Sequence, residues 1–290
     1  MKKWTFLSGI AVSTCILFFS SCGEGRKGTG EETDTTAVEK EEEEFTKEEK
    51  VVSRTCYPLS VVNKEGKSNS TMTFTYENNQ LTGIEMVSVR NGKEKKQTGT
   101  FEFTEDGKLS KFNSSTEQGD YSVEYVYNEQ GKPVEITSDS KFLSPIKFEC
   151  NEKGQIVKQI TEYNGTPYQT NTYEYNDKGQ PVSCKVTDGE GKNTHTYQFE
   201  YDDKPNPFQN LGMLANPVEL LYGTAVGNVA NNVVKISTTY HEKTSYKVNG
   251  EYKQAGDIDE LVFSYEYNDS GYPVKRIVST DTTTVEYRCE

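Results

Sequence analysis

Histidine is almost missing from this chain: His195 and His241 are the two in 290 residues. Imidazole clusters that hold zinc, or a histidine base serving a nucleophile, therefore have little to draw on. His241-Glu242 opens like a zinc-protease motif, but position 245 is Ser where a second His is needed. There is no Gly-X-Ser-X-Gly elbow, and no glycine loop that cradles phosphate ahead of a helix. Both histidines read as strand-surface residues, no cofactor or resident metal is expected, and the chain reads as a non-enzyme. Positive charge is also short. With 32 Lys and Arg against 45 Asp and Glu, the net charge of −13 lacks the basic footprint that nucleic acid requires. Apolar residues make up 32%, and the mean hydropathy of −0.80 excludes a polytopic helical membrane protein. Aromatic residues run the other way, with 19 Tyr and 13 Phe. A disordered chain would have few of them. What remains is a polar, tyrosine-rich, all-β protein.

One long apolar stretch exists, Trp4 to Phe19, behind Lys2 and Lys3. Its 16 residues fall short of the ~20 that cross a bilayer as a helix. Residues 1–21 thus read as a signal peptide ending in Ser20-Ser21, and the segment resembles a bacterial lipoprotein signal with its lipobox. Phe19 stands where that motif usually has Leu, and Cys15, preceded by Thr14, is a poorer candidate. The resemblance implies cleavage before Cys22 and acylation of its thiol, palmitate-like chains holding the mature protein to the outer membrane. Residues 22–50 read as a flexible acidic tether. Between 31 and 50, ten acidic residues oppose Lys40, Lys47 and Lys50, a block that stays solvated and extended. Both the periplasmic and the surface-exposed face remain open; Arg26 and Lys27 interrupt what would resemble a surface-export signal.

Residues 51–290 repeat themselves. Tyr125-Val126-Tyr127-Asn128-Glu129-Gln130-Gly131 returns as Tyr173-Glu174-Tyr175-Asn176-Asp177-Lys178-Gly179 and as Tyr265-Glu266-Tyr267-Asn268-Asp269-Ser270-Gly271. Weaker copies surround Gly107 and Gly154, and successive glycines from Gly107 to Gly179 lie 24, 23 and 25 residues apart. Such a period marks a repeated supersecondary unit. Ahead of each turn, apolar and polar residues alternate, as Tyr121, Val123, Tyr125 and Tyr127 do against Ser122 and Glu124. That is a strand with one buried face. The Asn-acidic-X-Gly segment suits a type I turn whose glycine takes the left-handed conformation and opens a bulge. Gly107, Gly131, Gly154, Gly179 and Gly271 are the candidate turn glycines. Each period is one β-hairpin, and the hairpins make an antiparallel meander, either a closed barrel or a curved half-barrel. Asn78-Asn79 fits a tight turn with both residues at positive φ. Asp188 to Asn193 and Asp257 to Glu260 carry oxygen ligands of the kind that hold Ca²⁺, and read instead as hairpin turns.

At Asp202-Asp203-Lys204-Pro205 a proline replaces the glycine, and the pattern should break. An apolar insertion follows near 206–232, with Asn216-Pro217 opening a short helix over 217–222. It reads as a plug of the sheet's open end, or as a lid that meets a partner.

Four cysteines remain beyond Cys15 and Cys22. An even number permits disulfides in an oxidising compartment. Cys56–Cys289 would tie the first strand to the last, and Cys150–Cys184 would staple neighbouring hairpins. Buried free thiols are the alternative.

The Tyr-X-Tyr-Asn/Asp hairpins resemble YD or Rhs-type repeats, although Asn generally replaces Asp and the Arg expected after the glycine is absent. More closely, the chain resembles a Bacteroidota lipoprotein family of unknown function with a porin-like fold. The repeats, Phe199 to Phe208, and Asn231-Asn232 carry that likeness over roughly residues 70–290. It implies a barrel-like sheet and no catalytic residues. The outward Glu, Lys, Gln and Thr are not the apolar band of a true porin. Asp34-Thr35-Thr36 and Asp281-Thr282-Thr283 resemble the Asp-Thr-X acceptor of Bacteroidota O-glycosylation, which makes Thr35 and Thr282 candidate sites. The expected function is a lipid-anchored envelope module that binds a glycan or protein; a structural scaffold with its aromatics buried is the alternative.

Overall fold

The structure is a computed structural model that describes residues 54–66, 68–117, 119–140, 143–209, 229–248 and 250–290. The signal peptide, Cys22, the tether and Thr35 lie outside the described residues, as does the helix expected over 217–222. In chain order the first strands are β1 (Cys56–Glu65), β2 (Ser68–Glu77), β3 (Gln80–Arg90), β4 (Lys93–Phe103) and β5 (Leu109–Thr116). Then come β6 (Gly119–Tyr127), β7 (Pro133–Ser138), β8 (Ile146–Cys150), β9 (Ile156–Tyr163) and β10 (Thr166–Tyr175). β11 (Pro181–Asp188), β12 (Asn193–Pro205) and β13 (Asn231–Tyr240) lead to a small ribbon, β14 (Lys247–Val248) with β15 (Glu251–Tyr252). β16 (Ile258–Tyr267), β17 (Pro273–Val278) and β18 (Asp281–Cys289) complete the chain.

Every wall strand pairs antiparallel with its neighbours in sequence. β13 passes over the ribbon to join β16, and β18 pairs with β1 to close a barrel of 16 strands. Of the two forms the sequence left open, the closed one is found. Its two ends differ. At the turn end lie the repeat hairpins, the connection from Pro205 to Asn231, and both ends of the wall, where Thr55 and Glu290 bond each other. At the ribbon end lie the shorter turns and the β13–β16 connection.

The repeat turns show why Asn and Gly stand where they do. Asn128 Oδ1 accepts from the backbone N–H groups of Gln130 and Lys132, while Gly131 N donates to Asn128 O. The same pattern recurs at Asn176 with Gly179 and at Asn268 with Gly271. Gly107, Gly131, Gly154, Gly179 and Gly271 all take positive φ, between 70° and 81°, where a side chain is strained. The pairing slips by one residue beside each turn, between Val126 and Tyr127, Glu174 and Tyr175, and Glu266 and Tyr267. Asn78 and Asn79 are at positive φ as well. At Asp202 the repeat pattern breaks as expected: no tight turn forms, β12 continues to Pro205, and the Asp202 side chain becomes a joint to β13.

Alternation sorts the wall into two faces. Outward residues form cross-strand ion pairs, among them Lys96–Glu85, Lys147–Glu162, Lys158–Glu149, Lys235–Glu260 and Lys275–Glu266, all at 2.7–2.8 Å. Each contributes at most ~1 kcal/mol in water, but together they make a wall that lipid would not accept. Inward residues fill the barrel. One cluster gathers Phe148, Ile156, Cys184, Val186, Phe199, Ile236 and Phe263; a second gathers Val61, Phe74, Leu81, Phe101, Leu109 and Val285. Phe208 enters the second from the connection after β12, its ring centroid 6.3 Å from that of Phe74, and Val229 enters the first. The two described flanks of the insertion therefore plug the turn end; residues 210–228 between them lie outside the described residues.

Tyrosine hydroxyls link one hairpin to the one before. Tyr76 donates to Pro58 O, Tyr127 to Leu109 O, Tyr175 to Ile156 O, Tyr201 to Pro181 O and Tyr287 to Pro273 O, at 2.6–2.8 Å. Each acceptor lies near the turn-end start of the preceding strand. Cys150 occupies the equivalent slot in its own repeat, and its thiol faces Pro133 O at 3.6 Å. Cys56 and Cys289 stand opposite each other in register and are joined by a disulfide. Cys150 and Cys184 are free thiols, so the second expected bond is not formed. β9 and β10 intervene between their strands. Three strand spacings of ~4.8 Å exceed the ~7 Å that a disulfide can span.

Candidate functional site

Because the repeat tyrosines bond carbonyls and side chains of the wall, as Tyr127, Tyr175, Tyr265 and Tyr267 do, aromatic side chains open to a ligand must be sought elsewhere. Tyr163, Tyr168, Tyr246 and Tyr252 are 64%, 60%, 58% and 48% exposed, and all four lie at the ribbon end. Local chemistry puts them there. Asn164-Gly165, both at positive φ, form the tight turn that joins β9 to β10 and sets Tyr163 and Tyr168 on its flanks. The next turn packs against them: a Cβ on Gly189 would meet Pro167 O at 2.6 Å.

The β13–β16 connection folds over the mouth. His241 N donates to Thr194 O, Gly256 N to Tyr240 O and Thr244 N to Lys253 O, which fixes both legs of the ribbon. Lys253 Nζ donates to Asp259 Oδ1 at 2.6 Å, and Tyr240 Oη reaches Asp259 Oδ2 at 3.2 Å. Tyr246 comes within electrostatic range of Tyr168, Tyr197 and Tyr240. Burial holds the hydroxyls of Tyr197 and Tyr240 above the usual tyrosine range, so both stay protonated donors. On the ribbon, the ammonium groups of Lys243 and Lys247 stand 5.7 and 5.8 Å from the Tyr252 ring centroid.

Beneath the mouth, the inward half of the barrel is polar. Gln169, Asn171, Tyr173 and Gln159 form one chain of hydrogen bonds, and Gln97 with Ser114 and Tyr121 another. His195 belongs to this layer. The strand-surface reading is corrected: His195 shares the inward parity of Tyr197 and Phe199, packs edge-on against Tyr197, and bonds Tyr197 Oη through Nε2 at 3.0 Å. Burial, aided by nearby His241, lowers its pKa to about 4. The unfolded chain, titrating near 6.5, takes up a proton that the folded barrel refuses. Stability is therefore full above pH 6.5 and declines as pH falls toward 4. An NMR titration of the His195 ring, paired with urea melts at pH 7 and pH 4.5, checks this. A ring that titrates near 6.5 overturns it.

The other sequence candidates are dispersed. Thr282 faces outward on β18 opposite Ile277 and Lys64, whereas Asp281 beside it points inward and is buried. Asp188 Oδ1 accepts from the N–H groups of Glu190 and Lys192, as a turn residue does. Among the described residues no group of three or more His, Cys, Asp or Glu side chains could hold a metal ion. A shallow outer concavity of ≈ 440 Å³ lies across β4, β5 and β6, lined by residues that include Thr98, Thr100, Asn113, Ser115, Asp120 and Asp139. Its acids already bond neighbours: Asp139 accepts from Ser122, and Asp120 from Ser115.

No family model and no curated protein matches the chain. Solved structures do. A porin-like protein from Bacteroides uniformis aligns with a TM-score of 0.54 at 14% identity, over 82% of this chain and 98% of that one. The chain thus has a porin-like β fold. A TcdB2–TccC3–Cdc42 structure aligns at TM-score 0.31 and 10% identity, over 77% of this chain but 14% of that one. An outer membrane lipoprotein-sorting protein domain from Vibrio parahaemolyticus gives 0.20 at 12% identity, over 82% and 86%. Neither of these two scores carries an argument.

Proposed function

We propose that this chain is a cell-envelope protein, acylated at Cys22 and held to the outer membrane through the acidic tether, whose water-filled surroundings meet a non-catalytic binding barrel. The observation that carries the binding role is the gathering of exposed tyrosines at one end: Tyr163, Tyr168, Tyr246 and Tyr252 over a mouth lined by Tyr197, Tyr240 and Asp259. Exposed tyrosines give broad, rigid, half-polar contact area to a sugar or protein surface at little entropic cost. The described wall begins at Arg54 and Cys56, at the turn end, which is the end this reading gives to the tether. A strand of ten residues rises ~33 Å, so the tyrosines face away from the point of attachment.

The experiment is a glycan array with envelope-extract pull-down, run on the folded chain and on Tyr168→Ala/Tyr246→Ala. The expected result is retention of a ligand by the parent and loss of at least tenfold in affinity for the variant, with melting temperature unchanged. Equal retention by both overturns the reading. A scaffold without a small ligand is the second reading, favoured by the tyrosine-to-carbonyl bonds, which give the repeat tyrosines a purely structural task.

A further inference from the structure

The ribbon carries an electrostatic arrangement that its own fold does not explain. Lys243 and Lys247 both approach the single ring of Tyr252, and like charges brought to one ring repel. Of the nearby carboxylates, Glu251 stands opposite Val248, one position along from the Lys247–Tyr252 pair and so on the other face of the ribbon, and two more are already paired. Glu242 bonds Lys192, and Asp259 bonds Lys253. Among the described residues, neither Lys243 nor Lys247 is paired with an acid. This occurs in a chain of net charge −13, where acidic partners abound. The ring face stabilises each ammonium by ~0.5–1 kcal/mol at an exposed site, enough to hold the two cations in place while leaving their charge uncompensated. An anion set between them would supply that compensation. Tyr246 precedes Lys247 in the chain, is exposed, and lies in electrostatic range of the exposed Tyr168 at the same end of the barrel; the two offer platforms for flat apolar faces.

Sugar-ring faces and carboxylates occur together in one ligand class. Resting on the binding role proposed above, we infer that the ribbon-end mouth takes an acidic polysaccharide, its uronate carboxylates on Lys243 and Lys247 and its ring faces on Tyr168 and Tyr246. Tyr252 then acts as a positioning residue that gathers the two lysines. Binding of this kind is salt-dependent, because exposed charges are screened over ~8 Å at physiological ionic strength.

The test uses the full folded barrel and two soluble polymers, polygalacturonate and a neutral galactan, titrated at 20 and 300 mM salt. Expected is binding of polygalacturonate that weakens at least tenfold between the two salts, and weakens at least tenfold at low salt in Lys243→Gln/Lys247→Gln. Tyr252→Leu should weaken it as well, while Tyr252→Phe, which keeps the ring, restores it. Preference for the galactan, lost in Tyr168→Ala/Tyr246→Ala, overturns the acidic ligand and leaves the binding role standing. Unchanged polygalacturonate affinity in the lysine variant overturns the assignment of the carboxylates. Capture of anionic lipid vesicles in place of either polymer overturns a saccharide ligand, and binding of neither polymer by any form removes the proposal.

Discussion

Reducing the Cys56–Cys289 disulfide, or replacing both cysteines by serine, is expected to lower the unfolding free energy by about 5 kcal/mol, the loss of loop-closure entropy for a cross-link of this length. The bond spans 233 residues, nearly the whole barrel. For a domain of this size that loss corresponds to a fall of roughly 10–20 °C in melting temperature. The position magnifies the effect. β1 and β18 meet at the one seam where strands distant in sequence pair, and every other wall contact joins successive strands. An opened seam leaves two strand edges with unpaired backbone groups, which invite pairing with other chains. Urea unfolding with and without reductant, alongside Cys56→Ser/Cys289→Ser as a control that reductant should not affect, measures this. A change below 1 kcal/mol would mean that the seven other residue pairs of the seam suffice by themselves. Cys150 and Cys184 give no such response, being free thiols; burial raises the pKa of both, that of Cys184 to about 12, so neither is a ready nucleophile.

Asp202→Ala is expected to cost about 3–5 kcal/mol, by stranding buried donors at ~1–3 kcal/mol each. One Asp202 oxygen accepts from the N–H groups of Lys204 and Asn232, both at 3.0 Å. The other accepts from Asn232 Nδ2 at 3.0 Å and from Tyr267 Oη at 2.5 Å. Asn232 is only 6% exposed and also donates toward Lys204 O and Pro205 O, while Gln180 reaches Asn231. This joint ties three strands, β12, β13 and β16, at the point where the chain leaves the wall and returns. Asp202→Asn keeps one acceptor and should cost about half as much. Chemical denaturation of both variants settles the order; equal costs would show that charge, rather than the number of acceptors, holds the joint. Tyr267→Phe removes a single donor and should stay within ~1.5 kcal/mol.

The hairpins, their inward and outward faces and the left-handed glycines were legible because each depends on residues within one repeat. Closure was not, since the alternation of Val123 against Glu124 is the same in an open sheet and in a barrel. The cysteines illustrate the limit. Pairing Cys56 with Cys289 follows from their places at the ends of the repeat domain, whereas pairing Cys150 with Cys184 ignored the two strands between them. Cys150 stands where other repeats have Tyr127 or Tyr175, and that substitution was the available sign that it serves the tyrosine slot. Parity along β12 could likewise have placed His195 inside with Tyr197 and Phe199. The rim was missed for a different reason. Tyr163, Tyr168, Tyr246 and Tyr252 lie outside the Tyr-X-Tyr-Asn register, and a search that counts repeats passes over them; their placement off the motif and beside Asn164-Gly165 was the signal.

The seam also decides how the molecule responds to mechanical load. A pull arriving along the chain ahead of Arg54 first meets the two reciprocal hydrogen bonds between Thr55 and Glu290. Immediately behind them it reaches the sulfur–sulfur bond, before any rung of the β1–β18 ladder. Tension is thus handed to a covalent link between the two terminal strands, and the first strand cannot be unzipped rung by rung from its exposed end.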